Sequence, residues 1–490
     1  MEPHDLPASR RQAVLGVFWG AVERAATQGI SFLVVLLLAR ILGPENYGLV
    51  TLAATVALLG QMLLGETFSQ ALIQQKNLEP AHGASLFWTL VGVGAAAAAA
   101  QFFLAGWLAA VFGQPSLAPL LRALAPLLLL SALQAVPVAL FKRALDFRAL
   151  AASSTSGTLL GGVVGVALAY AGFGPWSLVA NLLVQNSVVT LAIWRQSAFR
   201  PRLVFSWRHL RELWSHGQYT FLVRIAAFAS NQSPRLLIGY LFGPAALGAF
   251  SLGLRVVEIL YQLVCLPAVN VAVSVIAKIR DDPKKLTRTV LTATQLAAMI
   301  SAPIFVGLAL IAPLIVPLGF GAKWTASIPI IQILCVYGIV GSCALIWGAI
   351  IAGLGRPDVT LATTTTSAVV SVSVLLLAAP WGLAAASMAF VARGYLTMPF
   401  TPLIIARLTG IPAAVQYRVF APVVLAVLIM AICVEATIIA LGGVAAPFAM
   451  IAASIAVGVF SYGMTLYVVA RPVLQLGMSF LTHLRPSQAA

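Results

Sequence analysis

The sequence predicts an all-α polytopic membrane protein of about fourteen spanning helices, and three observations predict it. Of 490 residues, 61% are hydrophobic and only 9% are charged, whereas soluble domains use about 25% charged residues to coat a water-facing surface. Apolar runs of roughly 20 residues recur from end to end, each long enough to cross about 30 Å of hydrocarbon as a helix. The ten-residue segments of alternating polar and apolar residues that mark an outer-membrane barrel are missing.

The spans fall at about 14–39, 48–73, 84–110, 119–141, 149–170, 175–194, 217–242, 247–275, 289–315, 327–352, 358–379, 382–405, 418–441 and 446–469. Arg10 and Arg11 hold the inner end of the first. They mimic a twin-arginine export signal, but this span is too long for a signal core and carries Glu23 and Arg24, so no cleavage is expected. With the N-terminus inside, roughly 21 of the 29 Lys and Arg fall in inner segments and about three outside. Both termini are therefore expected in the cytoplasm. The net charge of +16 reflects topology, with some attraction to anionic headgroups, rather than nucleic-acid binding.

A repeat organises these spans. "ARILGPENYGLV" (39–50) returns as "GYLFGPAALGAF" (239–250), so that Gly43, Pro44 and Gly48 reappear as Gly243, Pro244 and Gly248. Glycine opens backbone conformations closed to other residues and proline stops the preceding helix, which predicts a tight outer turn in each copy. Three weaker echoes follow in the same order: 111–121 with 319–331, 142–153 with 353–364, and 173–180 with 379–386. An even number of spans per copy returns the second with the orientation of the first. The expected organisation is an N-lobe over 1–194 and a C-lobe over 217–405, two six-helix lobes in parallel repeat. A linker over 195–216 joins them, and two C-terminal helices with a tail occupy 406–490. In the linker, Trp207, Leu210 and Trp214 at helical spacing beside Arg208 and Arg211 predict a helix lying in the inner interface.

Enzyme chemistry finds no footing. Outer loops are short, and no paired carboxylates, nucleotide-phosphate loop or metal-ligand spacing appears; neither metal nor cofactor is expected. Cys265, Cys335, Cys343 and Cys433 lie within spans without paired spacing, and the five histidines scatter, mostly at span ends.

Charge inside the spans carries the functional signal, because a charged group at mid-bilayer costs about 2.5–3.5 kcal/mol even on the mild insertion scale. These groups are Glu23, Arg24, Glu66, Arg224, Arg235, Arg255, Glu258, Arg393 and Glu435. Arg224, Asn231 and Arg235 share one helical face, and Arg255, Glu258 and Gln262 share another. Counted from the turns, Arg24 and Arg224 lie at one depth in the inner half, and Arg235 and Arg255 at one depth in the outer half. Two levels of guanidinium, each a planar fork for phosphate oxygens, suit an anionic head group crossing the bilayer. Arg24, Arg224, Arg255 and Arg235 are thus the substrate-binding candidates, and Glu66, Glu258 and Glu435 the ion-coupling candidates. The bland alternative pairs Glu258 with Arg255 and Glu66 with Arg24 to hold helices together.

At "FWGAVERAATQGISFLVVLLLARILGPENYGLV" (18–50), "SPRLLIGYLFGPAALGAFSLGLRVVE" (233–258) and "ALIQQKNLEPAHGASLFWTL" (71–90), the chain resembles the Wzx-type oligosaccharide flippases of the multidrug/oligosaccharidyl-lipid/polysaccharide (MOP) superfamily. The resemblance implies a two-lobe flippase in the bacterial inner membrane. Such a protein carries undecaprenyl-pyrophosphate-linked repeat units to the periplasmic leaflet for capsule, exopolysaccharide or O-antigen assembly. Membrane lipids and the polysaccharide polymerase with its chain-length machinery are the implied partners. The family's usual acidic residue before "RLLIG" is here Pro234, which removes a carboxylate partner from Arg235. Two alternatives stay open: a lipid II flippase, and a multidrug/cation antiporter, although the latter calls for unpaired carboxylates that the face of Arg224 lacks.

Overall fold

The protein is described from a computed structural model that covers residues 6–74, 79–144, 146–279, 282–442 and 446–469. Within these, the side chains of 6–26, 63–71, 73–74, 213–220, 263–275, 277–278 and 357 lie outside the description. The described residues are helical, with two short 3-10 turns and no strand.

In chain order the helices are α1 (Leu6–Gln74), α2 (Pro80–Val111), α3 (Leu117–Leu124), α4 (Pro126–Arg143), α5 (Phe147–Tyr170), α6 (Trp176–Gln196) and α7 (Trp207–Ile279). There follow α8 (Pro283–Gly319), α9 (Ile328–Gly353), α10 (Pro357–Ala378), α11 (Leu383–Thr397), α12 (Phe400–Thr409), α13 (Ala413–Arg418), α14 (Ala421–Leu441) and α15 (Pro447–Val469). Twelve described segments are long and apolar enough to cross a membrane. Two of them, in α1 and α7, break at Gly43 (φ 78°, ψ 172°) and Gly243 (φ 80°, ψ −177°). The fourteen spans of the sequence analysis count the arms of these two separately.

The echoes in the sequence become echoes in the backbone. Left-handed glycines stand at Gly43 and Gly243, at Gly113 and Gly321, and at Gly174 and Gly382, each in a matched pair of turns. Helix starts follow local rules. Asp146 accepts from Ala149 N–H (3.1 Å) ahead of α5, and Asp282 from Lys285 N–H (3.1 Å) ahead of α8, each satisfying an orphan donor of the first turn. Arg143 donates to Leu72 O (3.0 Å) and so satisfies a carbonyl in the last turn of α1. The linker differs from its expectation as a separate helix. Residues 199–202 are irregular, and the helix that starts at Trp207 runs on without a stop into the next span. No proline stands between Trp207 and the span to end it. Leu210 is buried while Trp207 is exposed, and Trp214 lies outside the described side chains.

The helices form two compact units, one of residues 1–251 and 364–383, the other of 252–363 and 384–490. In the first, α5 packs on α6 through Gly157, Gly161 and Gly165, spaced so that all three face one side. A methyl at Gly161 would lie 2.7 Å from Asn181 O and 2.8 Å from Gln185 Cβ, and one at Gly165 2.8 Å from Asn181 Cβ. Small residues at every fourth position let helices approach until backbones touch, which substitutes in lipid for a hydrophobic driving force. Gly161→Val is expected to lower stability by about 1–3 kcal/mol, the usual cost of overpacking, read as an earlier melt in detergent.

In the second unit, α8, α9, α14 and α15 surround a core built on Trp347, Ile350, Ala298, Val423 and Met430. Two tyrosines donate their hydroxyls to helix carbonyls there: Tyr462 to Met299 O (2.7 Å), and Tyr261 to Gly338 O (3.0 Å). Arg393 is buried in this unit. Its guanidinium lies 4.6 Å from the centroid of the Phe390 ring and donates to Tyr337 Oη at 3.2 Å. Such stacking favours an arginine among aromatic rings.

Candidate functional site

A cavity of about 510 Å³ opens within the first unit, in the size range of small-molecule sites. Three helices build it. The second arm of α1 brings Leu58, Gln61 and Met62; α4 brings Ser131, Gln134, Ala135, Val138 and Lys142; the first arm of α7 brings Arg224, Ala227, Phe228, Asn231 and Gln232. Each set repeats at three- and four-residue steps, so each is one face of its helix. Among the described residues the lining holds two cations, Arg224 and Lys142, five neutral polar side chains, and no acid. Gln134 is held in place by its own bonds, donating to Thr190 Oγ1 (2.7 Å) and Asn186 O (3.3 Å) on α6. Such a site suits a doubly anionic group: a guanidinium fork that grips two oxygens, a mobile ammonium point charge, and amides for the remainder.

The residues singled out in the sequence divide by place. Arg224 and Asn231 line the cavity as their shared face predicts. Arg235, one turn beyond, is turned to Gln232 Oε1 (2.9 Å), itself a lining residue. Arg24 and Glu66 lie outside the described side chains, although both sit on the α1 backbone. Arg255 in the second unit meets Glu258 at 3.8 Å, the pairing the bland reading expects. The contact is long and both groups are partly exposed, so Glu258→Gln is expected to change stability by less than about 1 kcal/mol in a detergent melt. Glu435 stands on the exposed face of α14.

Lys142 is not among the residues singled out in the sequence, because a lysine at the inner end of a span reads as a topology anchor. Its signal was the stripe Ser131, Gln134, Val138 and Lys142 on α4, polar through most of a span that otherwise buries leucine and alanine.

The turn residues meet each other. In the first unit the backbone at Gly48 lies against that of Gly248: a methyl on Gly48 would overlap the Pro244 carbonyl oxygen and lie 2.6 Å from Gly248 N. Reciprocally, a methyl on Gly248 would overlap the Pro44 carbonyl oxygen and lie 2.7 Å from the Pro44 carbonyl carbon. The two Gly-Pro turns thus touch at equivalent atoms.

A many-span helical chain with a cavity whose described lining is cationic defines a polytopic membrane protein suited to an anionic ligand. Its fold matches the inward closed form of the lipid II flippase MurJ with a TM-score of 0.76 at 13% identity, over 94% of this chain and 99% of that one. Residues 37–329 match the family model described as polysaccharide biosynthesis protein, and the chain belongs to that family. It is 32% identical over 333 residues to the succinoglycan biosynthesis transport protein ExoT of Rhizobium meliloti (strain 1021), covering 67% of each chain. It is 26% identical over 354 residues to the lipopolysaccharide biosynthesis protein WzxC of Escherichia coli (strain K12), covering 71% of this chain and 72% of that one.

Proposed function

We propose that this multi-pass membrane protein flips undecaprenyl-pyrophosphate-linked oligosaccharide repeat units from the cytoplasmic to the periplasmic leaflet of a bacterial inner membrane, for polysaccharide export. The observation that carries the reading is the cavity whose described lining residues include Arg224 and Lys142 and no acid. An organic-cation antiporter needs the opposite lining. The pyrophosphate takes the Arg224 fork and the Lys142 ammonium, while the polyprenyl tail stays in lipid. Arg24 at the same depth supplies a second guanidinium from the first lobe, and Arg235 and Arg255 receive the head group further out. No bond is made or broken, so the work is electrostatic: fixed cations replace the water around the phosphates.

Alternating access between an N-lobe and a C-lobe completes the cycle, with both termini in the cytoplasm and the polymerase and chain-length machinery receiving the product. An ion gradient drives it through the carboxylates Glu66, Glu258 and Glu435, of which Glu258 has an arginine to release on protonation. Proteoliposomes holding a fluorescent undecaprenyl-pyrophosphate oligosaccharide test the reading. The expected result is protein-dependent loss of the inner-leaflet pool to a membrane-impermeant quencher. Equal transport of an ethidium-like cation, with none of the pyrophosphate lipid, would replace this function with an antiporter's.

A further inference from the structure

Away from the cavity, the fold gathers a second polar cluster that the sequence leaves scattered. Glu79 and His82 open α2, and His209 and Glu212 lie in the first turns of α7. His82 is buried, with 2% of its side chain exposed, and its Nε2 lies 3.3 Å from Glu212 Oε2. His209 Nε2 lies 3.3 Å from Glu79 Oε2. The two imidazole rings stand edge to face with centroids 4.3 Å apart. Ligand atoms from Glu79, His82 and His209 all fall within 4.8 Å of one another.

We propose that Glu79, His82 and His209, with Glu212 beside them, form a binding site for a divalent transition-metal ion of the zinc class, which staples the start of α7 to the start of α2. The distances carry this. Tetrahedral bonds of 2.0–2.1 Å place neighbouring ligand atoms about 3.3 Å apart, and both histidine–carboxylate pairs already stand at that spacing. Two imidazoles with carboxylates select a borderline ion such as Zn²⁺ over Mg²⁺ or Ca²⁺, which prefer all-oxygen cages.

The second ring of contacts is also in place. His209 Nδ1 lies 2.8 Å from Ser206 Oγ. The Ser206 N–H donates to Ser85 Oγ at 2.9 Å, which fixes the approach to α7 on α2. Such outer partners orient a ligating ring. One adjustment is required. The Glu79 N–H donates to His82 Nδ1 (3.2 Å), which leaves the ring proton on Nε2, facing Glu212. On binding, the ion takes Nε2, the proton moves to Nδ1, and the Glu79 N–H contact is given up. One neutral hydrogen bond is exchanged for metal–ligand bonds, and no net proton is released by His82.

The full chain in lipid nanodiscs, with its affinity tag removed and stripped by chelator, tests the site. After Zn²⁺ loading and desalting, about one ion per chain is expected by elemental mass spectrometry. Co²⁺ in its place is expected to give visible d–d bands that Zn²⁺ abolishes. His209→Ala and Glu79→Gln lie at the more exposed positions and are each expected to lose at least about nine-tenths of the bound ion with unchanged melting of the metal-free protein. Should His209→Ala melt early, Glu79→Gln carries the comparison alone. Less than about a tenth of an ion on the parent chain, or full loading of both variants, overturns the proposal. So does amide-exchange protection of residues 207–212 that rises from about pH 7.5 to about pH 6 in chelator yet ignores Zn²⁺, since that marks a proton clamp at His209. None of these readouts depends on lipid flipping.

Discussion

Alanine at Gly48 or at Gly248 is expected to cut polysaccharide export about tenfold or more while the protein still reaches the membrane. At each position the added methyl meets the backbone of the opposite turn, Pro244 in one case and Pro44 in the other. A side chain in the way would rotate aside, but a carbonyl within a helical turn cannot, so the two turns must separate. Overpacking of this kind costs about 1–3 kcal/mol. Charged to one conformation of a two-state transporter, it shifts the balance between states by roughly 5- to 150-fold. On the proposed topology these turns are the outer seal, so both variants should favour the outward-open form. A cysteine reporter on the Arg224 face, labelled from the outer side, should react faster in Gly48→Ala and Gly248→Ala than in the parent. Normal export with unchanged labelling would mean that the glycine contact is incidental to the cycle. Because the contact is reciprocal, the double variant should resemble either single one, since one separation relieves both overlaps.

Removing the cavity cations should act on binding rather than on shape. Arg224→Ala is expected to weaken binding of an undecaprenyl-pyrophosphate lipid by roughly 10- to 150-fold, the equivalent of a charge-assisted hydrogen bond worth about 1.5–3 kcal/mol. Lys142→Ala should lose less, because an ammonium on a flexible stem gives one point contact where the guanidinium gives a fork. Arg224→Lys keeps the charge without the fork and is expected to fall between parent and alanine. Titration of the purified chain with the lipid in nanodiscs, followed by intrinsic tryptophan fluorescence or thermal shift, reads all three. Unchanged affinity in the Arg224→Ala, Lys142→Ala double variant would move the phosphate site away from this cavity.

Much of the architecture was legible in the chain itself. Span positions follow from apolar length, and a missed edge moves by only a few residues because hydrocarbon thickness sets the scale. Gly43-Pro44 and Gly243-Pro244 announced the breaks in α1 and α7, since positive φ and a missing N–H act through the local backbone. The helical face of Arg224 and Asn231 was visible from spacing alone, and the cavity lies on that face. Partners were not legible. Lys142 faces the cavity, and His82 meets Glu212 from 130 residues away, through packing that no local pattern encodes. Nor does spacing tell Arg393, stacked on Phe390, from Arg224, which lines a cavity: both are arginines in apolar helices.

By itself the sequence determined the solvent, the helical class, the repeat and the identity of the charges committed to the membrane. These follow from transfer free energy and backbone stereochemistry, which act residue by residue. The tertiary structure alone decided which charges meet a neighbour and which line a cavity, and which glycines touch backbone. Those outcomes depend on how helices distant in sequence rotate and approach, and such freedom is fixed only when their faces pack.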